Sequence, residues 1–432
     1  MKTTRLHRGL AATVLCLAFG AGACSEDDGN NMSGEDSDDG EWVVEMPERF
    51  AYTDDTLPIG DLGDDPEMAT VPFALTGADT GEGGIVYSAA LAGYYIMRTQ
   101  WDDEGYHYLY DPTTDTWEEK DNIHRKCGAT FTQVWLYRIT GRDDFKWSTY
   151  RALEYLLSRG SEQDDGSFKL RDLGATALVT LSLTTYSKLA ETDEFDAVID
   201  GTGKYILDRI TEEGSFSEGS PLVWAQCHQA LWRLYDYTGD SAYIDALELV
   251  GRYFYDNRDD PEVIDFPYLY GLWANEPLTD LYLERPADWI SELVLTVGDD
   301  VASKQYTPAN NDDPVWMGGY FPNSGSGSPN WNSTLKLEAV IDAWRMAEAV
   351  GDTERMETFG KSSIIGAAFL QGMMHRTGET DDFVVPETAI GGIPLSPSDP
   401  KVRVDVPHHG ANAMLKVVEY MDLEDYPGGP LP

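Results

Sequence analysis

Cysteine is scarce in this chain, with four residues among 432: Cys16, Cys24, Cys127 and Cys227. No Cys-x-x-Cys pair occurs, which removes a disulfide-dense scaffold and a zinc ribbon from consideration. Basic residues are scarce too. Lys and Arg number 31 against 76 Asp and Glu, and the formal net charge is −45. So acidic a surface argues against nucleic acid as a partner and against free association with anionic membranes. It suits a salty habitat, where surface repulsion is screened within ~10 Å or less. Beyond the N-terminus no apolar run reaches the ~18 residues of a membrane span. Phosphate loops, dinucleotide fingerprints, nucleophile elbows and EF-hand-like loops are absent as well.

What the first residues do contain is a targeting pattern. Lys2, Arg5 and Arg8 form a positive region, and Leu10 to Phe19 an apolar core too short to span a bilayer as a stable helix. Ala21-Gly22-Ala23 then precede Cys24. This resembles a bacterial lipoprotein signal, with Ala21 standing where that pattern prefers Leu. The resemblance implies a signal peptide over 1–23, a lipid on Cys24 as the only membrane contact and, from Ser25, an outer-membrane, cell-envelope location. Plain secretion is the alternative. Loss of Lys2, Arg5 and Arg8 brings the charge to about −48. Residues 24–41 form an acidic tether that cannot bury enough apolar surface to fold. Residues 42–84 read as an irregular wrapping segment and 85–432 as one folded domain.

From Ile85 onward apolar residues recur at helical spacing. An aromatic, Asp-rich excursion near 101–120 interrupts them and reads as a small β-hairpin turning at Asp111-Pro112. A layout then repeats: Thr140-Gly141-Arg142-Asp143, Thr238-Gly239-Asp240 and Val350-Gly351-Asp352, with Ala190-Glu191-Thr192-Asp193 a weaker fourth. Gly ends a helix at the C′ position, and Asp close behind it can cap the next. These are tight helical hairpins, spaced by roughly 50 residues or multiples of it. They predict twelve helices, near 86–99, 126–140, 143–158, 173–190, 194–211, 221–238, 240–256, 268–283, 287–304, 333–350, 352–373 and 407–421. Alternate helices are apolar on most sides, as in Ala175-Thr176-Ala177-Leu178-Val179, which marks them as buried. Their partners are one-sided. The expected fold is all-α, six inner helices inside six outer ones. This resembles the six-hairpin (α/α)6 toroid of glycoside hydrolases, polysaccharide lyases and sugar epimerases over about residues 85–422. It carries no family's catalytic signature. The resemblance implies a monomer with a cleft at the N-terminal ends of the inner helices.

One stretch concentrates chemistry there: Arg403-Val404-Asp405-Val406-Pro407-His408-His409-Gly410. Pro407 favours a helix start, and the N-terminal backbone N–H groups attract anionic or hydroxyl-bearing ligands. Other loops add Asn122, His124 and Arg125 before the second helix and Asp172 before the fourth. Trp224 stands near the sixth, Tyr270, Trp273 and Glu276 near the eighth, and Trp331 and Glu338 near the tenth. Aromatic rings suit the apolar faces of sugars, and Asn, Asp, Arg and His their hydroxyls. Each set also has a plain structural reading. Asn122 and Asp172 serve equally as helix caps, Glu338 as a solvent-facing or Arg-paired residue, and most aromatics as packing.

Three mechanisms compete. A glycoside hydrolase needs two carboxylates ~5–5.5 Å apart when retaining or ~6.5–9.5 Å when inverting; Asp172, Glu276, Glu338 and Asp405 are candidates. A lyase or epimerase uses imidazoles instead. His124 and His408 then move protons, Asn122, Arg125 and Arg403 orient substrate, and Glu338 or Asp405 supplies a carboxylate. Trp224, Tyr270, Trp273, Glu276, Trp331 and His409 complete the binding set. The third option is zinc, because Cys127 with Cys227-His228 faintly resembles the site of lanthionine cyclases. It lacks the three or four converging ligands zinc needs, so no metal or cofactor is expected. A non-catalytic toroid that captures glycans or peptides stands as the alternative to an enzyme.

Overall fold

The glycine hairpins form where their spacing places them. Gly141, Gly239 and Gly351 take φ values of 66°, 71° and 74°, the left-handed region that costs a Cβ-free residue nothing. The weaker fourth hairpin turns in the same conformation on a non-glycine residue, Glu191, at φ 52°. Asp240 and Asp352 then accept the N–H groups of Ala242 and Arg355 and cap the returning helices.

The computed structural model describes residues 82–101, 105–118, 120, 122–260, 271–323 and 327–421, all within one unit, Asp54–Pro432. The signal, the tether with Cys24, nearly all of the wrapping segment and Tyr270 lie outside these residues. The helices are α1 (Glu82–Arg98), α2 (Ile123–Thr140), α3 (Asp143–Leu157), α4 (Leu173–Ala190), α5 (Asp196–Leu207), α6 (Pro221–Thr238) and α7 (Ser241–Asp256). They continue with α8 (Gly271–Glu284), α9 (Asp288–Ala302), α10 (Asn332–Val350), α11 (Thr353–Met373), the single turn α12 (Pro386–Ala389) and α13 (Asp405–Tyr420).

Packing closes a ring. Helix α2 touches α4, α4 touches α6, then α8, α10 and α13 follow in turn, and α13 returns to α2. Helices α3, α5, α7, α9 and α11 flank this ring, and α1 packs on α13 to join the two ends of the fold. The inner helices are buried nearly all round: every residue of α13 from Asp405 to Val417 is buried, as is α4 from Leu173 to Thr184. Hydroxyls inside so apolar a helix fold back on its own carbonyls, as Thr180 does to Thr176 at 2.7 Å and Thr184 to Thr180 at 2.8 Å.

Two helix starts differ from expectation, and both matter. Asn122 caps α2, its side chain accepting the Arg125 N–H at 3.2 Å, so His124 and Arg125 stand in the first helical turn and not in the loop. Helix α13 begins at Asp405, two residues before Pro407, with Val404 at its cap. The hairpin forms from Leu109–Asp111 and Thr116–Glu118, and Val402–Arg403 adds a third strand to it, paired antiparallel with the first. That pairing, invisible in the sequence, fastens Arg403 to the excursion. Small antiparallel pairs Gln100–Trp101 with Gly105–Tyr106, and Gly160–Glu162 with Phe168–Leu170, complete the strands.

Candidate active site

Side chains near the N-termini of the inner helices meet at one end of the ring. At one corner His124 of α2 bonds through Nε2 to Asp172 Oδ1 at 2.9 Å. The same carboxylate oxygen accepts the Ala175 N–H at 2.9 Å, so Asp172 both caps α4 and orients an imidazole. Gly174 leaves room for this: a Cβ there would lie 3.0 Å from Gln226 Oε1 and 3.1 Å from His124 Nε2. Gln226 is buried, and its Oε1 has no hydrogen-bond partner among the described residues. Burial pushes the Asp172 carboxyl up, but bonds from His124 and Ala175 outweigh it and hold it below the usual range.

Next to this corner two guanidinium groups bracket one carboxylate. Arg403 reaches Asp405 at 2.5 and 2.8 Å, and Arg125 reaches it at 3.1 Å. Asp405 is therefore no helix cap. Burial alone would raise its carboxyl; Arg403 and Arg125 reverse that and keep it far below the ordinary range. Arg403 lies 4.6 Å above the Trp331 ring and Arg125 4.8 Å above that of Tyr108, whose hydroxyl it also bonds.

His408 and His409 follow on the first turns of α13, their ring centroids 3.9 Å apart. His409 Nδ1 meets Glu338 Oε1 of α10 at 2.7 Å, and Trp273 of α8 sets its edge against the same imidazole at 5.1 Å. Burial dominates here. It pushes Glu338 up to about 8 and His409 down to about 3, and so favours the uncharged form of each. Burial and the neighbouring His409 hold His408 well below the usual imidazole range, and its Nδ1 has no partner among the described residues. His408 seats against Gly128 of α2, where a Cβ would fall 2.7 Å from its Cε1.

These contacts bring together Asn122, His124, Arg125, Asp172, Trp273, Trp331, Glu338, Arg403, Asp405, His408 and His409. Two expected residues stand apart from the group. Trp224 donates to the Glu218 carbonyl at 2.7 Å and packs on Phe254 of outer helix α7, 5.7 Å away, so it lies on the α6–α7 seam. Its position just inside α6 misled because an indole so near a helix start can face either ring. Glu276 pairs instead with Arg233 and with Lys416 Nζ at 2.8 Å. Cys127 and Cys227 are buried free thiols. His228 bonds through Nε2 to the Leu247 carbonyl at 2.7 Å, so the donors of the zinc alternative do not converge. Tyr108 escaped the candidate set, as did two residues that lie with Glu276 in the adjoining layer, Asp342 and Lys416. Spacing held a signal for the last two, since Asp342 is one helical turn beyond Glu338 and Lys416 two turns beyond His409.

No protein-family model and no curated protein matches the sequence. Solved structures do match. A sugar epimerase from a ruminal bacterium superposes with TM-score 0.59 at 12% identity, over 79% of this chain and 99% of that one. A D-mannose isomerase gives 0.56 at 14%, over 80% and 100%. An α-1,6-mannanase from Salegentibacter gives 0.57 at 11%, over 78% and 100%. The fold is the (α/α)6 toroid. At these identities the likeness concerns the fold alone. Within that toroid the cluster lies at the N-terminal ends of the inner helices, with Glu338 and the two adjacent histidines buried in it.

Proposed function

We propose that this protein is an envelope-tethered enzyme that moves a proton on a sugar, in the manner of an isomerase or epimerase. One observation carries the reading: the carboxylates at the inner-helix N-termini are all paired, while His408 keeps a ring nitrogen with no partner among the described residues. Asp405 is bound by two guanidinium groups, Asp172 caps a helix and holds His124, and Glu338 is bonded to His409. A hydrolase needs one ionised and one protonated carboxyl with the glycosidic bond between them, and here the ionised candidates, Asp172 and Asp405, are each held by other groups. Several solved structures of this shape bear names of sugar-converting enzymes, which supports carbohydrate as the substrate class.

The chemistry follows from the pairings. With Glu338 protonated and His409 neutral, the better acceptor is the Nδ1 lone pair, so the carboxyl O–H donates to it and His409 keeps its own proton on Nε2. His409 is then the acid. His408, neutral and with Nδ1 unpartnered, is the base that removes a proton from the carbon beside the carbonyl of an open-chain sugar. The enediolate that forms places negative charge near Arg125 and Arg403, at an α13 N-terminus whose dipole favours it. His124 and Asn122 hold the sugar's far hydroxyls, and Trp273 and Trp331 offer apolar surface to its ring.

The test is solvent exchange. The full chain, incubated with neutral aldoses, ketoses and reducing disaccharides in D2O, is expected to replace hydrogen by deuterium at the carbon next to the carbonyl, and His408→Asn to abolish it. Cleavage of glycosidic bonds without such exchange would return the reading to a hydrolase. For the tether, Cys24→Ser is expected to move the protein from the membrane to the soluble fraction of its host; an unchanged distribution removes the lipid anchor.

A further inference from the structure

Below the basin, one seam of the toroid is laid out in layers. His409 and Lys416 stand seven residues apart on α13, Glu338 and Asp342 four apart on α10, and Trp273, Glu276 and Asp280 at spacings of three and four on α8, so each set shares a helix face. The upper layer joins His409 to Glu338 and Trp273. In the next, Lys416 Nζ lies 2.6 Å from Asp342 and 2.8 Å from Glu276, and its side chain is buried. Beneath, Arg345 meets Asp280 at 2.6 Å and Asp342 at 3.4 Å, and Arg233 of α6 meets Glu276. Lys416, Arg233 and Arg345 match Glu276, Asp280 and Asp342 charge for charge. Nothing in the seam balances an ionised Glu338.

We propose that Lys416 is a positioning residue for the reaction: clamped between Glu276 and Asp342, it balances the carboxylates of this seam so that the one mobile proton rests between Glu338 and His409. The groups acting on that proton are His409 and Lys416 from α13, Glu276 from α8, and Asp342 from α10 itself. Arg125, Arg403 and Asp405 act on His409 from above. The charges of α9 nearest to α10, Asp300 and Lys304, act on Lys336, which is two residues from Glu338 and faces the other way. Lys416 draws the Glu338 proton off and Glu276 holds it on, against a background set by burial. The two therefore pull in opposite senses.

The consequence for catalysis rests on the proton-transfer reading; the test does not. Infrared difference spectra of the full chain without substrate follow the carboxylic-acid carbonyl band of Glu338, assigned by its loss in Glu338→Gln. Lys416→Met is expected to move the titration of that band to higher pH and Glu276→Gln to lower pH, each by on the order of one pH unit. Lys416→Arg keeps the charge and should leave it in place. Shifts of the same sign, or none, overturn the proposal. Should Lys416→Met fail to fold, Glu276→Gln and Lys416→Arg decide: a downward shift in the first with none in the second supports it, and any other pattern overturns it. A wild-type band that titrates as expected, with no exchange on any sugar, counts against the functional reading and leaves Lys416 its place.

Discussion

Gly128→Ala is the sharpest probe of the cluster, because it adds one methyl group and touches no functional side chain chemically. The new Cβ would sit 2.7 Å from His408 Cε1 and 2.8 Å from Nε2. Carbon atoms pack at about 3.5–4.0 Å, so the imidazole must retreat by about 1 Å. It has little room, since the His409 ring is 3.9 Å away on its own helix. Two stability terms oppose each other. Ala favours a helix interior over Gly by about 1 kcal/mol, while overpacking costs about 1–3 kcal/mol. The fold should therefore survive with a loss of at most ~2 kcal/mol, read as a modest fall in Tm. Catalysis is less forgiving, because a base displaced by ~1 Å costs about a hundredfold in rate, or ~2.7 kcal/mol of barrier. The deuterium-exchange assay should then show kcat down by about two orders of magnitude with KM little changed. A variant that melts normally and exchanges at the wild-type rate would falsify the placement of His408 at the reacting carbon.

Asp172 performs two tasks that substitution can separate. Asp172→Ser keeps a side-chain cap and loses the His124 partner, whereas Asp172→Ala loses both and should cost about 1 kcal/mol more in denaturant unfolding. Equal stabilities would mean that the cap contributes little. The cluster also sets a pH dependence. His409 binds a proton more weakly folded (about 3) than unfolded (6.5), so its contribution to stability is present above pH 6.5 and is lost as pH falls toward 3. Glu338 binds one more tightly folded (about 8) than unfolded (4.5), so its contribution is present below pH 4.5 and is lost as pH rises to 8. The two slopes cancel between about pH 4.5 and 6.5, so in thermal melts Glu338→Gln should remove a decline between pH 6.5 and 8 and uncover a rise below 6.5; an unaltered profile means that Glu338 is ionised at neutral pH.

The architecture was readable because each local signal agrees with the global one. Gly141, Gly239 and Gly351 end helices for a reason of backbone geometry, and the all-round apolarity of α4 states directly that it lies inside the ring. The site was readable in kind, since His408, His409 and Glu338 are polar groups inside apolar helices. Partnership was not. Glu276 looked like a ligand contact because it stands with Trp273 near the start of the eighth helix, yet its partners Lys416 and Arg233 come from helices far away in sequence. The strand that pairs Arg403 with Leu109 is two residues long, too short to leave an alternating pattern. Register between distant segments is tertiary information, and only the fold contains it.

Charge finally decides which sugars the basin should accept. The chain carries −45 overall, while Arg125, Arg403 and Asp405 together carry a single positive charge, and the cations of the seam below are matched by carboxylates. A uronate must therefore approach through an acidic exterior toward a weak local attraction, and an uncharged sugar meets no such barrier. Screening reaches about 10 Å at 0.1 M salt and about 3 Å at 1 M, so the exterior repulsion collapses with salt while contacts inside the basin persist. For neutral sugars kcat/KM should change less than about twofold across that range. For uronates it should rise severalfold with salt from a low base. Faster turnover of uronates at low salt, declining as salt is added, would show that the two guanidinium groups outweigh the rest of the surface and that the substrate is an acidic sugar.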